Sequence, residues 1–220
     1  MENNVHSAIA IFGGTFNPVH HGHIRSALEL GDELGLSEVR LMPCHRPVHR
    51  EQPECSSEHR LAMLNLAIEG KSMLSVDDRE LRRSDLSYSI DSLIELRNEL
   101  GDQVVLCMVV GSDAFAKLET WHRWQELLDY AHIIVLSRPG YSLPNSSSLQ
   151  TWLKQVCLEN KTELLNRPAG GVLMLELTQL LISATVIRAQ IIQGVSPRFL
   201  MPDAVWQYIN EQQLYGCCEN

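Results

Sequence analysis

Apolar residues along this chain fall into two alternating patterns. Short, mainly apolar segments at 8–12, 38–42, 73–76, 104–110, 131–137 and 171–177, set off by glycine, proline or polar residues, read as strands. Between them lie stretches with helical spacing. Ile24, Ala27, Leu28, Gly31 and Leu34 share one face over 21–34. Segments 58–69 (Leu61, Leu64, Leu66, Ile68) and 89–100 (Ile90, Leu93, Ile94, Leu96) read as helices too. Helices are further predicted over 121–128, 183–193 and 202–212, with a polar one after the Ser/Asn-rich stretch 142–148. Strands alternating with helices predict an α/β fold with a doubly wound, mostly parallel, Rossmann-like sheet. No repeat or compositional shift marks a second domain. Residues 1–220 therefore read as one domain, with the helices of about 183–212 packed on it. Segment 44–57 is rich in Pro, His and Arg and has no period, which predicts a long loop of the kind that serves as a lid.

Composition narrows the function. The 220 residues give ample room for a core, and 45% hydrophobic content excludes a disordered chain. Lys and Arg total 18 against 27 Asp and Glu, a net charge of −9, which disfavours nucleic acid as a partner. No apolar stretch is long enough for a membrane span, and the first residues lack a signal-peptide pattern. The expected location is the cytoplasm. The six cysteines then read as reduced thiols, with Cys107 a small core residue inside VVLCMVV.

The segment Gly13-Gly14-Thr15-Phe16-Asn17-Pro18-Val19-His20-His21-Gly22-His23 joins the first strand to the first helix. In an open parallel sheet, ligands bind beyond the carboxyl ends of the strands. Two glycines let backbone approach a ligand, and a helix amino end suits phosphate. His20 and His23, three apart, share a face of the first turn. The fingerprint G-x-G-x-x-G is absent, which disfavours hydride transfer. Gly70-Lys71-Ser72 follows a helix and lacks the first glycine of a Walker A loop, so it reads as a turn. A second set is Ile182-Ser183-Ala184-Thr185-Val186-Ile187-Arg188. Ser183 is an expected N-cap, and Thr185 and Arg188 then share a face. Alone this is an ordinary capped helix. Paired with the first segment, it suggests two helix amino ends aimed at one triphosphate.

These segments resemble the nucleotidyltransferase α/β-phosphodiester family, whose signatures H-x-G-H and I-S-x-T-x-x-R stand here at His20–His23 and Ile182–Arg188. The likeness is greatest to the branch that adenylylates nicotinate mononucleotide. GGTFNPVHHGH, Pro47-Val48-His49-Arg50, Leu86-Ser87-Tyr88-Ser89, Gly111-Ser112-Asp113, Thr120-Trp121-His122 and Ser137-Arg138-Pro139-Gly140-Tyr141 follow that branch in order. Val48 and Leu86 replace prolines, and Ser89 replaces a threonine while keeping the hydroxyl. The resemblance implies adenylyl transfer from ATP to nicotinate mononucleotide, giving deamido-NAD and pyrophosphate by direct in-line attack without a covalent intermediate. It implies ATP contacts from Gly13, Gly14, Thr15, Phe16, His20, His23, Gly111, Asp113, Arg138, Ser183, Thr185 and Arg188. Of these, His20, His23 and Arg188 would be catalytic. His49, Arg50, Ser89, Trp121 and His122 would hold the nicotinate nucleotide, with Trp121 stacked on the pyridine ring. Mg²⁺ would arrive with ATP, since no D-x-D pair flanks either motif. The loop carrying His45, Arg46, His49 and Arg50 would close over the mononucleotide phosphate.

Two rival readings remain. One keeps the fold and changes the acceptor to nicotinamide mononucleotide or phosphopantetheine. The other is a zinc-binding or redox-sensing module built on Cys44, His49, Cys55 and His59, or on Cys217 and Cys218, although the spacing misses the usual C-x₂₋₄-C pattern.

Overall fold

A computed structural model of the chain describes residues 7–45, 55–83, 86–137 and 147–217. Strand β1 (Ala8–Gly14) leads into helix α1 (His21–Leu34), then β2 (Glu38–Pro43), α2 (Ser57–Ile68), β3 (Leu74–Val76), α3 (Ser89–Leu100) and β4 (Val105–Gly111). The short helices α4 (Ser112–Phe115) and α5 (Leu127–Tyr130) follow, then β5 (His132–Ser137), α6 (Ser147–Val156), α7 (Lys161–Leu165) and β6 (Val172–Glu176). Helices α8 (Ala184–Ile192) and α9 (Asp203–Glu211) come last. The six strands are all parallel, in the order β3-β2-β1-β4-β5-β6. The order reverses between β1 and β4, so a crevice opens there at the carboxyl ends of the strands.

Strand period decides which helices cover which face. Ala8 and Ala10 of β1, with Val105, Cys107 and Val109 of β4, face Ile24, Ala27 and Leu30 of α1, Met63 and Leu64 of α2, Ile187 of α8 and Val205 of α9. Ile9 and Ile11, with Leu106, Met108 and Val110, face Ile90, Leu93 and Leu96 of α3, Phe115, Leu127, and Leu149 and Leu153 of α6. The helices of 184–211 thus share a core with the sheet.

All six predicted strands are present, and α1 and α3 have the predicted bounds. The region 121–128 differs from expectation. Trp121 is extended, Arg123 is left-handed at φ 53°, and a single 3-10 turn (Trp124–Glu126) precedes α5. Trp121 and Trp124 therefore do not share a helix, and Trp124 packs edge-on against Trp152 at 5.1 Å. Helix α4 and the 3-10 turn Arg79–Arg82 carry too few residues to show a period, and neither was predicted. In α2 the buried positions include Arg60, Met63, Leu64 and Ala67 rather than the predicted Leu61. Apolar residues lie all round that helix, so period does not identify its inner face. Gly70 forms the expected turn, with Lys71 N–H bonded to the Ile68 carbonyl at 3.0 Å.

Among the described residues, no helix is long and apolar enough to cross a membrane. Among the described residues, Cys44, Cys55, Cys107, Cys157 and Cys217 form no disulfide.

Candidate active site

The carboxyl end of β1 turns through Gly13 and Gly14 into a segment that is buried from Phe16 to His20. Gly14 lies so close to the Phe16 ring that a Cβ there would come within 2.9 Å of it, whereas the space above Gly13 is open. A side chain at residue 14 is therefore excluded, whereas the Gly13 backbone faces open space. Phe16 adopts φ 48°, and the Asn17–Pro18 peptide is cis. The buried Arg60 of α2 donates from Nη1 to the Thr15 carbonyl at 2.9 Å. From α8, Arg188 donates from Nη1 to the Asn17 carbonyl at 2.7 Å. The two sequence motifs therefore meet: residue 188 is bonded within three residues of His20.

His20 is the N-cap of α1, and its ring stacks on that of His23 with centroids 3.7 Å apart. A Cβ on Gly22 would come within 3.0 Å of the His20 ring, so no larger residue fits between the two histidines. The Phe16 ring meets His23 edge-on at 5.0 Å. The His20 backbone N–H donates to His23 Nδ1 at 3.3 Å. In its neutral form, His23 consequently carries its proton on Nε2. Burial and then the neighbouring His21 lower His20 to about 4. Burial and then His20 lower His23 to about 3. Both rings are neutral N–H donors at pH 7 and weak bases. His20 Nδ1 is buried without a partner among the described residues. The His21 N–H is taken by the Leu200 carbonyl and the His23 N–H by the His20 carbonyl, each at 3.0 Å, which leaves the N–H of Gly22, a residue that lines the cleft, as a first-turn donor.

A cleft of about 190 Å³ lies between His20 and Gly22 on one side and Gly111, Ser112 and Asp113 at the end of β4 on the other. Leu180 and Ile182 close it beside the second motif. Ser183 occupies the predicted N-cap of α8, but its hydroxyl makes no cap bond. Ser183 and Thr185 are both exposed on the approach to Arg188. Of the predicted pyridine-nucleotide residues, Ser89, Trp121 and His122 lie by the start of α3. The Tyr88 ring rests 4.5 Å from the His122 ring, which brings Ser89, at the first turn of α3, next to the Trp121–His122 segment. His49, Arg50 and Arg138, with Arg46, lie outside the described residues, and His45 Nδ1 is 3.0 Å from Ser57 Oγ. His59, a member of the rival zinc set, bonds Tyr208 through Nδ1 at 2.8 Å. Among the described residues, no group of three His, Cys, Asp or Glu converges as a metal site.

Several site residues went unread in the sequence. Arg60 had a signal, an arginine in line with buried Met63, Leu64 and Ala67 on one helix. Gln179 lines the cleft and donates to the Ser137 carbonyl at 3.1 Å, and no local pattern marks it.

A parallel sheet with a glycine turn, stacked imidazoles and a helix amino end at its switch point defines a nucleotide-binding α/β protein. A family model described as cytidylyltransferase-like matches residues 11–190. The chain is 49% identical to a protein of Hahella chejuensis named "Probable nicotinate-nucleotide adenylyltransferase", over 96% of this chain and 97% of that one. A Cellvibrio japonicus protein of the same name is 48% identical over 94% and 98%. A solved Plasmodium falciparum nicotinic acid mononucleotide adenylyltransferase in complex with NaAD superposes with a TM-score of 0.73 at 17% identity, covering 97% of this chain and 99% of that one, so the fold is shared. The chain belongs to the cytidylyltransferase-like family, alongside relatives that carry the nicotinate-nucleotide adenylyltransferase name.

Proposed function

We infer that this chain transfers the adenylyl group of ATP to nicotinate mononucleotide, releasing deamido-NAD and pyrophosphate. The observation that carries the reading is the Arg188–Asn17 bond, which joins the two phosphate-binding motifs at the β1/β4 crevice. Near full-length similarity to relatives named for this activity supports it.

The acceptor's phosphate oxygen is already ionised, so the reaction needs no general base. That suits imidazoles whose pKa values lie at about 4 and about 3. Catalysis is then in-line positioning and stabilisation of charge at the α-phosphate. His23 offers Nε2–H to that charge, and His20 and the Gly22 N–H add donors beside it. Arg188 spends one arm of its guanidinium on Asn17, and its other arm grips the departing phosphates alongside Ser183 and Thr185. Gly13 allows backbone approach to the triphosphate. Gly111 and Asp113 face the ribose, and the Arg138 segment adjoins the adenine. Ser89 and the His122 N–H receive the nicotinate carboxylate, and Trp121 stacks on the pyridine ring. His49 and Arg50 take the mononucleotide phosphate. Mg²⁺ enters as part of the ATP substrate and offsets repulsion between the two anions.

The test is pyrophosphate release from ATP and Mg²⁺ with either pyridine mononucleotide. The acid should turn over and the amide should lag by at least tenfold. Equal rates would remove the carboxylate subsite from the account, and no release with the acid would remove the function.

A further inference from the structure

We propose that Tyr215, close to the C-terminal end, is a positioning residue for adenylyl transfer, holding the Thr15–His20 loop in register with the cleft through its bond to Asn17. This rests on the reading of that loop as the ATP-phosphate loop.

The Tyr215 hydroxyl donates to Asn17 Oδ1 at 2.6 Å across 198 positions of sequence. Asn17 is itself only 7% exposed, and its backbone carbonyl accepts from Arg188. One buried residue is therefore held by two elements, its side chain by the C-terminal segment and its carbonyl by α8. Arg60 fixes the same loop two residues earlier, at Thr15. Tyr215 thus completes a set of three tethers on a segment that lies outside any ladder of the sheet.

The backbone around Tyr215 bears a cost for this placement. Gln213 at φ 49° and Tyr215 at φ 59° both sit in the left-handed region without being glycine. Such residues persist where surrounding contacts over-determine them, and they gather at functional sites. Burial, and next the Cys55 thiol, hold the phenol proton well above its ordinary range. At neutral pH the hydroxyl therefore keeps its proton and can donate it to Asn17.

The loop passes the constraint on by contact. Phe16, in the left-handed region at φ 48°, lies edge-on to His23. A shift at Asn17 displaces Phe16 on one side and the arm of Arg188 on the other, so both groups that meet the triphosphate lose alignment together. Preorganised donors lose most of their effect when they drift by a fraction of an ångström.

The experiment compares wild type, Tyr215→Phe, Asn17→Ala and the double variant in steady-state adenylyl transfer, with thermal melts of each. Tyr215→Phe removes one oxygen and keeps the ring. It should lower kcat by about five- to tenfold while KM for nicotinate mononucleotide stays within twofold. The double variant should be no worse than Asn17→Ala, because both changes break the same bond. A Tyr215→Phe enzyme with wild-type kcat overturns the proposal. So does a variant that loses melting temperature while each folded molecule turns over at the wild-type rate, and so do additive effects in the double variant. Wild-type protein that makes no pyrophosphate overturns the phosphate-loop reading itself, and Tyr215 falls with it.

Discussion

The two ends of the sheet treat their buried polar groups in opposite ways. At the amino end, Arg97 of α3 is 8% exposed and donates to the carbonyls of Tyr130, Gly101, Val104 and Pro168, just ahead of strands β4, β5 and β6. His132 at the start of β5 is fully buried, accepts from Gly171 N–H at Nδ1 and bonds the Arg167 carbonyl through Nε2. At the carboxyl end, His20 Nδ1 and Arg60 Nε are buried without partners among the described residues, and Phe16 is strained. Buried polar groups normally find partners because an unmade bond costs about 1–3 kcal/mol. One end is therefore optimised for the folded chain alone. The other is left incomplete, as expected of a surface completed by its substrate.

If that contrast holds, substitutions at the two ends should separate activity from stability. The largest effect is expected for His23→Ala, which removes a preorganised donor: kcat should fall ~100-fold, about 3 kcal/mol of barrier, with the melting temperature near wild type. A loss below fivefold would break the contrast. Arg97→Leu should do the reverse. It strands backbone carbonyls at the amino end and should cost roughly 2–3 kcal/mol of stability in urea unfolding, with kcat of the folded fraction unchanged. Arg188→Lys should give an intermediate result. Lysine keeps the charge but cannot hold Asn17 and a phosphate with one planar fork, so KM for ATP should rise about tenfold.

The smallest effect is a pH dependence. His20, His23 and His132 are all lowered from 6.5, each mainly by burial. Below pH 6.5 the unfolded chain takes up protons that the folded chain refuses. Stability is thus fully present above pH 6.5 and declines as pH falls toward the folded values of about 4 and about 3. Melts at pH 7.5 and pH 5 should differ by a few degrees, and the difference should shrink in His23→Ala. A melting temperature that rises on acidification would reverse the sign and contradict it.

The contrast also marks how far the sequence could be read. Strand and helix positions were legible because burial imposes a period: β1, β4 and β5 are apolar on both faces, and α1 repeats Ile24, Ala27, Gly31 and Leu34. The site was legible where it is local, since the residues from Gly13 to His23 lie on one turn. The convergence of Arg188 on the first segment was legible from the paired motifs, but its bond to the Asn17 carbonyl and the supports from Arg60 to Thr15 and from Tyr215 to Asn17 were not, because they depend on how α2, α8 and the C-terminal segment pack. The left-handed Arg123, which breaks the helix expected over 121–128, is likewise set by its surroundings and its pairing with Glu126. Residue type and spacing leave the charge of His20 and His23 open, and burial makes both neutral at pH 7.

The measurement that bears most directly on the account is a crystal structure of the enzyme with a non-hydrolysable ATP analogue and Mg²⁺. The account predicts a triphosphate in the β1/β4 crevice, with His23 Nε2 within about 3.2 Å of an α-phosphate oxygen and the free arm of Arg188 on the β- or γ-phosphate. A triphosphate bound elsewhere, with His23 Nε2 facing solvent, would contradict it.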